Sequence, residues 1–111
     1  MKIAVIGSRS LKIDDIGRYL PENTSEIITG GAKGIDKCAE YYANENGIKL
    51  TVFLPEYERY GRAAPIKRNA KIIENADEVI AFWDGESRGT LGTIENCKKL
   101  VIKLTIHKIH L

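Results

Sequence analysis

The residues able to do chemistry gather in short glycine-containing stretches: Gly7-Ser8-Arg9-Ser10, Gly30-Gly31-Ala32-Lys33-Gly34-Ile35-Asp36 and Asp84-Gly85-Glu86-Ser87-Arg88-Gly89-Thr90. Glycine lets backbone N–H groups approach a ligand closely, and arginine can hold an oxyanion by two hydrogen bonds. Where such a stretch opens a helix, the helix start adds partial positive charge and uncovered N–H donors. The ligand this chemistry suits is an anion such as phosphate. One such stretch alone reads equally well as an ordinary capped turn. Three of them, each carrying a cation, favour a phosphate-bearing ligand over a purely structural role. Neither G-x-G-x-x-G nor the G-K-[ST] ending of a P-loop is present, which disfavours ATP hydrolysis with bound magnesium. Asp36 either caps its own helix or accepts from a ribose hydroxyl.

These stretches need elements to position them. Lys2 to Ile6, Glu26 to Thr29, Lys49 to Leu54 and Glu78 to Trp83 read as strands, and the tail Val101 to Leu111 alternates like a half-exposed edge strand with solvated histidines. Helical spacing lies between them. The first helix is capped by Asp14 or Asp15 and ended by Pro21. The second runs from Gly34 to Gly47 through Ile35, Cys38, Ala39, Tyr42 and Ala43. The third has Pro65 in its first turn and an inner face of Ile66, Ala70 and Ile73, and the fourth is marked by Leu91, Ile94 and Cys97. Strand and helix alternating in this way predict a Rossmann-like three-layer α/β/α fold with a mainly parallel five-stranded sheet. Ligands of such sheets bind beyond the carboxyl ends of the strands, which is where the glycine-bearing stretches fall.

A chain of 111 residues with 43% hydrophobic and 29% charged residues suits a single soluble domain spanning 1–111. The net charge of +2 comes from interspersed residues, so charge does not indicate a non-specific nucleic-acid grip. The apolar run at the N-terminus is too short for a signal sequence or membrane span, which points to a cytoplasmic protein with no membrane partner. Cys38 and Cys97 sit on apolar helical stripes outside any C-x-x-C or metal-ligand pattern, so free buried thiols and no metal site are expected.

The combination of G-S-R near the start, G-G-A-K-G-I-D in the second loop, Y-G-R-A-A-P-I-K-R-N in the middle and A-F-W-D-G-E-S-R-G-T near the end resembles the SLOG superfamily. Within it, the likeness is to the small stand-alone branch grouped with YspA, and it covers the chain from Ile3 to Leu100. The resemblance implies a Rossmann-like domain that senses or processes nucleotide-derived ligands. Carried over, the binding loops fall on Gly7, Ser8 and Arg9, on Gly30, Gly31, Gly34 and Asp36, on Arg68 and Asn69, and on Ser87, Arg88, Gly89 and Thr90. Ser87 to Thr90 would then wrap a phosphate, with Arg88 as counter-charge. A solvated helix face is the alternative for Arg68 and Asn69.

LOG-type phosphoribohydrolases of the same superfamily carry P-G-G-x-G-T-x-x-E, whose glutamate is the acid/base candidate. Aligning Gly89-Thr90 on its Gly-Thr puts Thr93 at the glutamate position, and a hydroxyl cannot replace a carboxylate in proton transfer near neutral pH. Glu95 lies roughly 200 degrees further round the helix and should point elsewhere. Asp36, Asp84 and Glu86 remain as carboxylates from other loops. DprA, which handles single-stranded DNA, also resembles this fold, and Tyr57-Glu58-Arg59-Tyr60-Gly61-Arg62 interleaves aromatics with arginine. The glutamates and the small net charge argue against a nucleic-acid partner. Tyr57, Tyr60 and Trp83 either stack on a small ligand or close the edge of the core. The expected function is binding or sensing of a nucleotide or nucleotide-derived phosphate ligand, with no cofactor beyond that ligand. Nucleotide N-glycosidase activity is the alternative. The resemblance and the tail strand leave a homodimer open.

Overall fold

The computed structural model describes residues 1–100 and 102–109. Five strands, β1 (Lys2–Gly7), β2 (Glu26–Thr29), β3 (Lys49–Val52), β4 (Glu78–Trp83) and β5 (Lys103–Lys108), form one sheet in the order β3-β2-β1-β4-β5, every neighbouring pair parallel. The first three strands step outward in one direction and β4 returns to the other side of β1. The switch point therefore lies between β1 and β4, at the carboxyl ends that carry two of the glycine-bearing stretches.

The helices are α1 (Ile35–Glu45), the single turn α2 (Tyr57–Tyr60), α3 (Ala64–Asn75) and α4 (Arg88–Lys99). On one face of the sheet, α1 and the segment from Leu11 to Leu20 cover Ile3, Val5, Ile27, Ile80 and Phe82. On the other, α3 and α4 bring Ile72, Ile73, Ile94 and Cys97 onto Ala4, Ile6, Ile28, Val79 and Ala81. Both faces of β1 and β4 are thus buried, which is why those strands read as unbroken apolar runs. Each fully buried isoleucine contributes about 1.5–3 kcal/mol relative to exposure. This is the Rossmann-like three-layer arrangement expected, with a sheet that is wholly parallel.

The amino ends of the strands are pinned differently. Lys49 Nζ lies 3.3 Å from Glu26 Oε1, and Lys103 Nζ 3.6 Å from Glu78 Oε2. Each pair joins the first residue of an edge strand to its register partner on the inner neighbour.

Several expectations are corrected. The segment after β1 makes only the 3-10 turn Ile16–Tyr19, and Asp15 stands at its start without a capping bond. Gly17 weakens any longer helix, and the extended Leu20 before Pro21 ends it. β3 stops at Val52 because Leu54 precedes Pro55 and turns outward, although Phe53 N still donates to Thr29 O at 3.0 Å. In α3 the buried residues are Ala64, Ile72 and Ile73, while Ile66 is 66% exposed. Ile73, seven residues on, lies within about 20 degrees of the same direction, so Ile66 is exposed by its place in the first turn of α3. In α4 the inner stripe is Thr90, Thr93, Ile94 and Cys97, and Leu91 lies at its margin. His107 is half-buried, its ring 5.2 Å from Phe82 and 4.8 Å from Tyr19, so it is not a solvated histidine. His110 lies outside the described residues. Cys97 is buried and Cys38 half-buried, both as free thiols. Among the described residues no helix is long and apolar enough to cross a membrane.

Candidate functional site

Because all strands are parallel, the loops following β1, β2 and β4 meet at one edge of the sheet. They enclose a cavity of about 440 Å³ together with the starts of α3 and α4. The end of β1 and the loop after it supply Gly7, Arg9 and Ser10, the loop after β2 supplies Gly30 and Ala32, α1 supplies Asp36, and α3 adds Pro65, Arg68 and Asn69. The fourth loop and α4 contribute Asp84, Ser87, Gly89, Thr90 and Thr93 over a floor of Ile6 and Ile72.

The second loop is held from within. Asp36 Oδ2 accepts from Gly30 N and Ala32 N, both at 3.1 Å, so it ties down the loop that precedes its own helix. Burial pushes the Asp36 carboxyl above its ordinary range, and these two bonds and the nearby Arg68 partly offset that. The N–H groups of Gly30 and Ala32 are therefore engaged internally and do not cradle a ligand. Gly30 serves a different purpose. Arg68 Nη1 donates to Gly30 O at 2.6 Å, and a Cβ at residue 30 would stand 2.5 Å from that nitrogen. Arg68 Nε donates to Asn69 Oδ1 at 2.7 Å, and Nη2 has no hydrogen-bond partner among the described residues. Burial lowers the Arg68 pKa and Asp36 raises it, but an arginine stays charged throughout.

The fourth loop is clamped by Asp84. Its Oδ1 accepts from Glu86 N and Ser87 N at 2.8 Å each, and its Oδ2 from Ser10 Oγ at 3.0 Å. The bonds from the Ser87 and Glu86 N–H groups bring its pKa down to about 2. Ser8, which is buried, joins this loop to the first: Asp84 N donates to Ser8 Oγ at 3.2 Å. Trp83 Nε1 donates to Ser87 O at 3.1 Å, so this tryptophan anchors the loop. Ser87 is the N-cap of α4, accepting from Thr90 N at 3.4 Å, which leaves the N–H groups of Arg88 and Gly89 without partners among the described residues. Gly89 lines the cavity, and nothing lies within 4 Å of where its Cβ would be.

Of the residues expected at a site, Gly7, Arg9, Gly30, Asp36, Arg68, Asn69, Ser87, Gly89 and Thr90 come together on the cavity wall, and Ser8, Gly31, Gly34 and Arg88 do not. Gly34 caps α1 with φ of 74°, and a Cβ there would press within 2.7 Å of the carbonyl oxygens of Ser8 and Arg9. It packs one loop on another. Gly31 has φ of 72° and turns the chain. Arg88 is exposed at the first position of α4, about 100 degrees round the helix from Gly89. The arginines on the cavity wall are Arg9 and Arg68 instead. Ser10, Ala32 and Asp84 lie within the glycine-bearing stretches but were not among the residues assigned to the site, and Pro65 and the floor isoleucines were missed because nothing in their spacing marks them.

Among the carboxylates considered for proton transfer, Asp36 and Asp84 line the wall and Glu86 and Glu95 are exposed and off it; the Thr93 hydroxyl lines it and donates to Gly89 O at 3.1 Å. Tyr57 is exposed and Tyr60 stands under Arg59 and Lys67, neither of them on this cavity. Among the described residues no group of three or more His, Cys, Asp or Glu could hold a metal ion.

No curated protein and no solved structure significantly matches the chain. The model of the YspA, cpYpsA-related SLOG family (YAcAr) matches residues 1–60, from β1 through α2, and so includes the first two loops of the cavity. With more than half of its length so matched, the chain belongs to the YspA, cpYpsA-related SLOG family.

Proposed function

We propose that the chain binds the phosphate of a nucleotide or nucleotide-derived ligand in the cavity at the carboxyl edge of the sheet, as a sensing or ligand-handling domain. One observation carries the reading: Arg9, Arg68 and the open start of α4 at Gly89 converge on a single cavity. Two guanidinium groups and helix-start N–H groups, carrying donors that have no partner among the described residues, are the donor set that a phosphate takes. The volume of about 440 Å³ lies within the range of small-molecule sites, about 300–1,000 Å³. Membership of a SLOG family agrees with a nucleotide-related ligand.

Hydrolysis is the weaker reading. A carboxylate with a pKa of about 2 is a poor proton acceptor and no donor at neutral pH, which removes Asp84. Asp36 is pushed the right way, but its Oδ2 is engaged by two N–H groups of the loop.

The test is calorimetric titration of wild type and Gly89→Val with ribose 5-phosphate and nucleoside monophosphates. The valine meets open space and keeps a helical φ, so the melting temperature should hold while binding falls at least tenfold. Equal affinity in the two proteins would remove the phosphate from the start of α4.

A further inference from the structure

The two outer edges of the sheet are not alike. β3 is four residues long and soon meets Pro55, whereas β5 runs for six and alternates Leu104 and Ile106 with Thr105 and His107. Parity shows which backbone groups of β5 are spare. Ile109 N donates to Trp83 O at 2.8 Å, so the odd-numbered residues of this parallel strand turn their N–H and C=O groups toward β4. Those of Leu104, Ile106 and Lys108 therefore point outward, and among the described residues no strand pairs with that edge. Lysines usually guard such an edge. Here they stand at its ends and are drawn aside: Lys103 Nζ lies 3.6 Å from Glu78 Oε2, and Lys108 Cε lies 2.8 Å from where a Cβ of residue 85 would be. Between them the strand carries no Lys, Arg, Asp or Glu. Ile106 is 40% exposed on the face where Leu104 packs toward α4. Leu91, 36% exposed, stands on the flank of α4 turned away from the cavity-lining Gly89 and Thr93.

We infer that this edge pairs with the same edge of a second copy of the chain, as antiparallel strands about a two-fold axis at Thr105. The strand fits itself. Residues numbered symmetrically about Thr105 then face each other, so Leu104 meets the second copy's Ile106 and Ile106 its Leu104. Both residues point their backbone groups outward, so each of these pairs exchanges two hydrogen bonds, with its side chains on one face of the joint sheet. Thr105 meets Thr105, Lys103 meets His107 and Lys108 meets Ile102, which sets no lysine opposite another. Moving the axis to Ile106 would set Leu104 against Lys108 instead. A foreign partner would have to supply this alternation, whereas a second copy already carries it. The pairing makes one continuous sheet across both copies, with their cavities at opposite ends of the strands, and it stands apart from the phosphate reading.

Analytical ultracentrifugation across a range of concentrations should show a monomer–dimer equilibrium. Ile106→Pro removes one outward N–H and no bond to β4, a change an edge strand tolerates, so the chain should stay folded by circular dichroism and dimerise at least about tenfold more weakly. Ile106→Lys keeps the backbone and sets a charge against Leu104, with the same result expected should the proline disturb folding. Register is read by a disulfide. Thr105 faces itself in a non-hydrogen-bonded pair, where Cα atoms approach to about 4.5 Å, within disulfide range. In a Cys38→Ser background, which removes the half-buried native thiol, oxidised glutathione should link Thr105→Cys chains into dimers and leave Lys103→Cys chains largely unlinked. A monomer at every concentration overturns the inference. So does a dimer that survives both Ile106 variants, since its interface then lies elsewhere. Lys103→Cys linking as readily as Thr105→Cys overturns the register and the self-complementarity argued from it.

Discussion

Arg68 reaches from α3 across the edge of the sheet to Gly30, its Nη1 donating to the Gly30 carbonyl at 2.6 Å in the space that any side chain at residue 30 would occupy. The glycine that looks like part of a phosphate cradle is therefore a seat for an arginine. Close approach of the guanidinium, not a positive φ, is what requires it.

That relationship makes Gly30→Ala informative. The atom in the way is the far end of a flexible side chain, so Arg68 can swing aside and the melting temperature should drop only slightly, by the equivalent of about 0.5–1 kcal/mol. Binding of a phosphate ester should weaken about tenfold, because the displaced guanidinium no longer faces the cavity. Titration beside thermal melts reads both quantities. Unchanged affinity would mean that Arg68 serves the loop alone.

Asp84 gives a pH dependence with a definite sign. Its folded pKa of about 2 lies below the ordinary value of 3.8, so its contribution to stability is present above about pH 4 and lost as pH falls toward 2. Melting temperatures of wild type and Asp84→Asn should therefore differ near neutral pH and converge between pH 4 and 2. A gap that stays constant through that window would show that the loop is held by geometry and not by the charge.

Much of this was legible in the chain. Apolar runs such as Val79 to Trp83 have no other use than a strand buried on both faces, and Gly47 does end α1 one residue past its C-cap, Asn46. What failed was phase. Arg88 and Gly89 are neighbours in sequence, yet only the helix axis decides which faces the cavity, and the inner stripe of α4 is polar at that end because Thr90 and Thr93 border a cavity where an apolar residue was expected. Ile66 misled for a different reason: Ile73, seven residues on and within about 20 degrees of the same direction, is buried, so Ile66 is exposed by its place in the first turn of α3 and not by its phase. His107 could not be placed because its partners, Tyr19 and Phe82, are distant in sequence.

The amino edge of the sheet offers a control for every binding experiment. Glu78 Oε2 is buried with no hydrogen-bond partner among the described residues, and Lys103, 3.6 Å away, provides its compensation. Because the lysine side chain is 73% exposed, solvent screens the pair, and Lys103→Ala should cost about 1 kcal/mol or less, a melting shift of a few degrees. Affinity for phosphate esters should not change, since the pair sits at the opposite ends of the strands from the cavity. A loss of binding in this variant would show that stability, not contact, governs the other results.

Thr93 bears on catalysis. It lies on the cavity wall with its hydroxyl donating to Gly89 O, and at that position it offers no carboxylate for proton transfer. Release of ribose 5-phosphate from nucleoside monophosphates should thus stay far below the ordinary enzyme range of about one turnover per second or more. Time courses with wild type and Thr93→Ala check this. Rapid release that survives the alanine would assign the chemistry to another group, Asp36 being the carboxylate whose pKa moves in the useful direction.

The sharpest contrast is between Arg9 and Arg88. Both are exposed loop or helix-start arginines without an ion pair among the described residues, so neither should matter to folding by more than about 0.5 kcal/mol. Only Arg9 lines the cavity. If it makes charge-assisted bonds to a ligand phosphate, Arg9→Ala should lose about 1.5–3 kcal/mol of binding, roughly 10- to 150-fold in affinity. Arg88→Ala should lose less than about threefold, through the screened field of a charge beside the site. Parallel titrations of the two variants with one nucleoside monophosphate, at low and at moderate salt, separate contact from field: the Arg88 effect should fade with salt and the Arg9 effect should largely persist. The opposite ranking would return the phosphate to the outer face of α4 and take it away from Arg68, because the two arginines lie on different sides of that helix start.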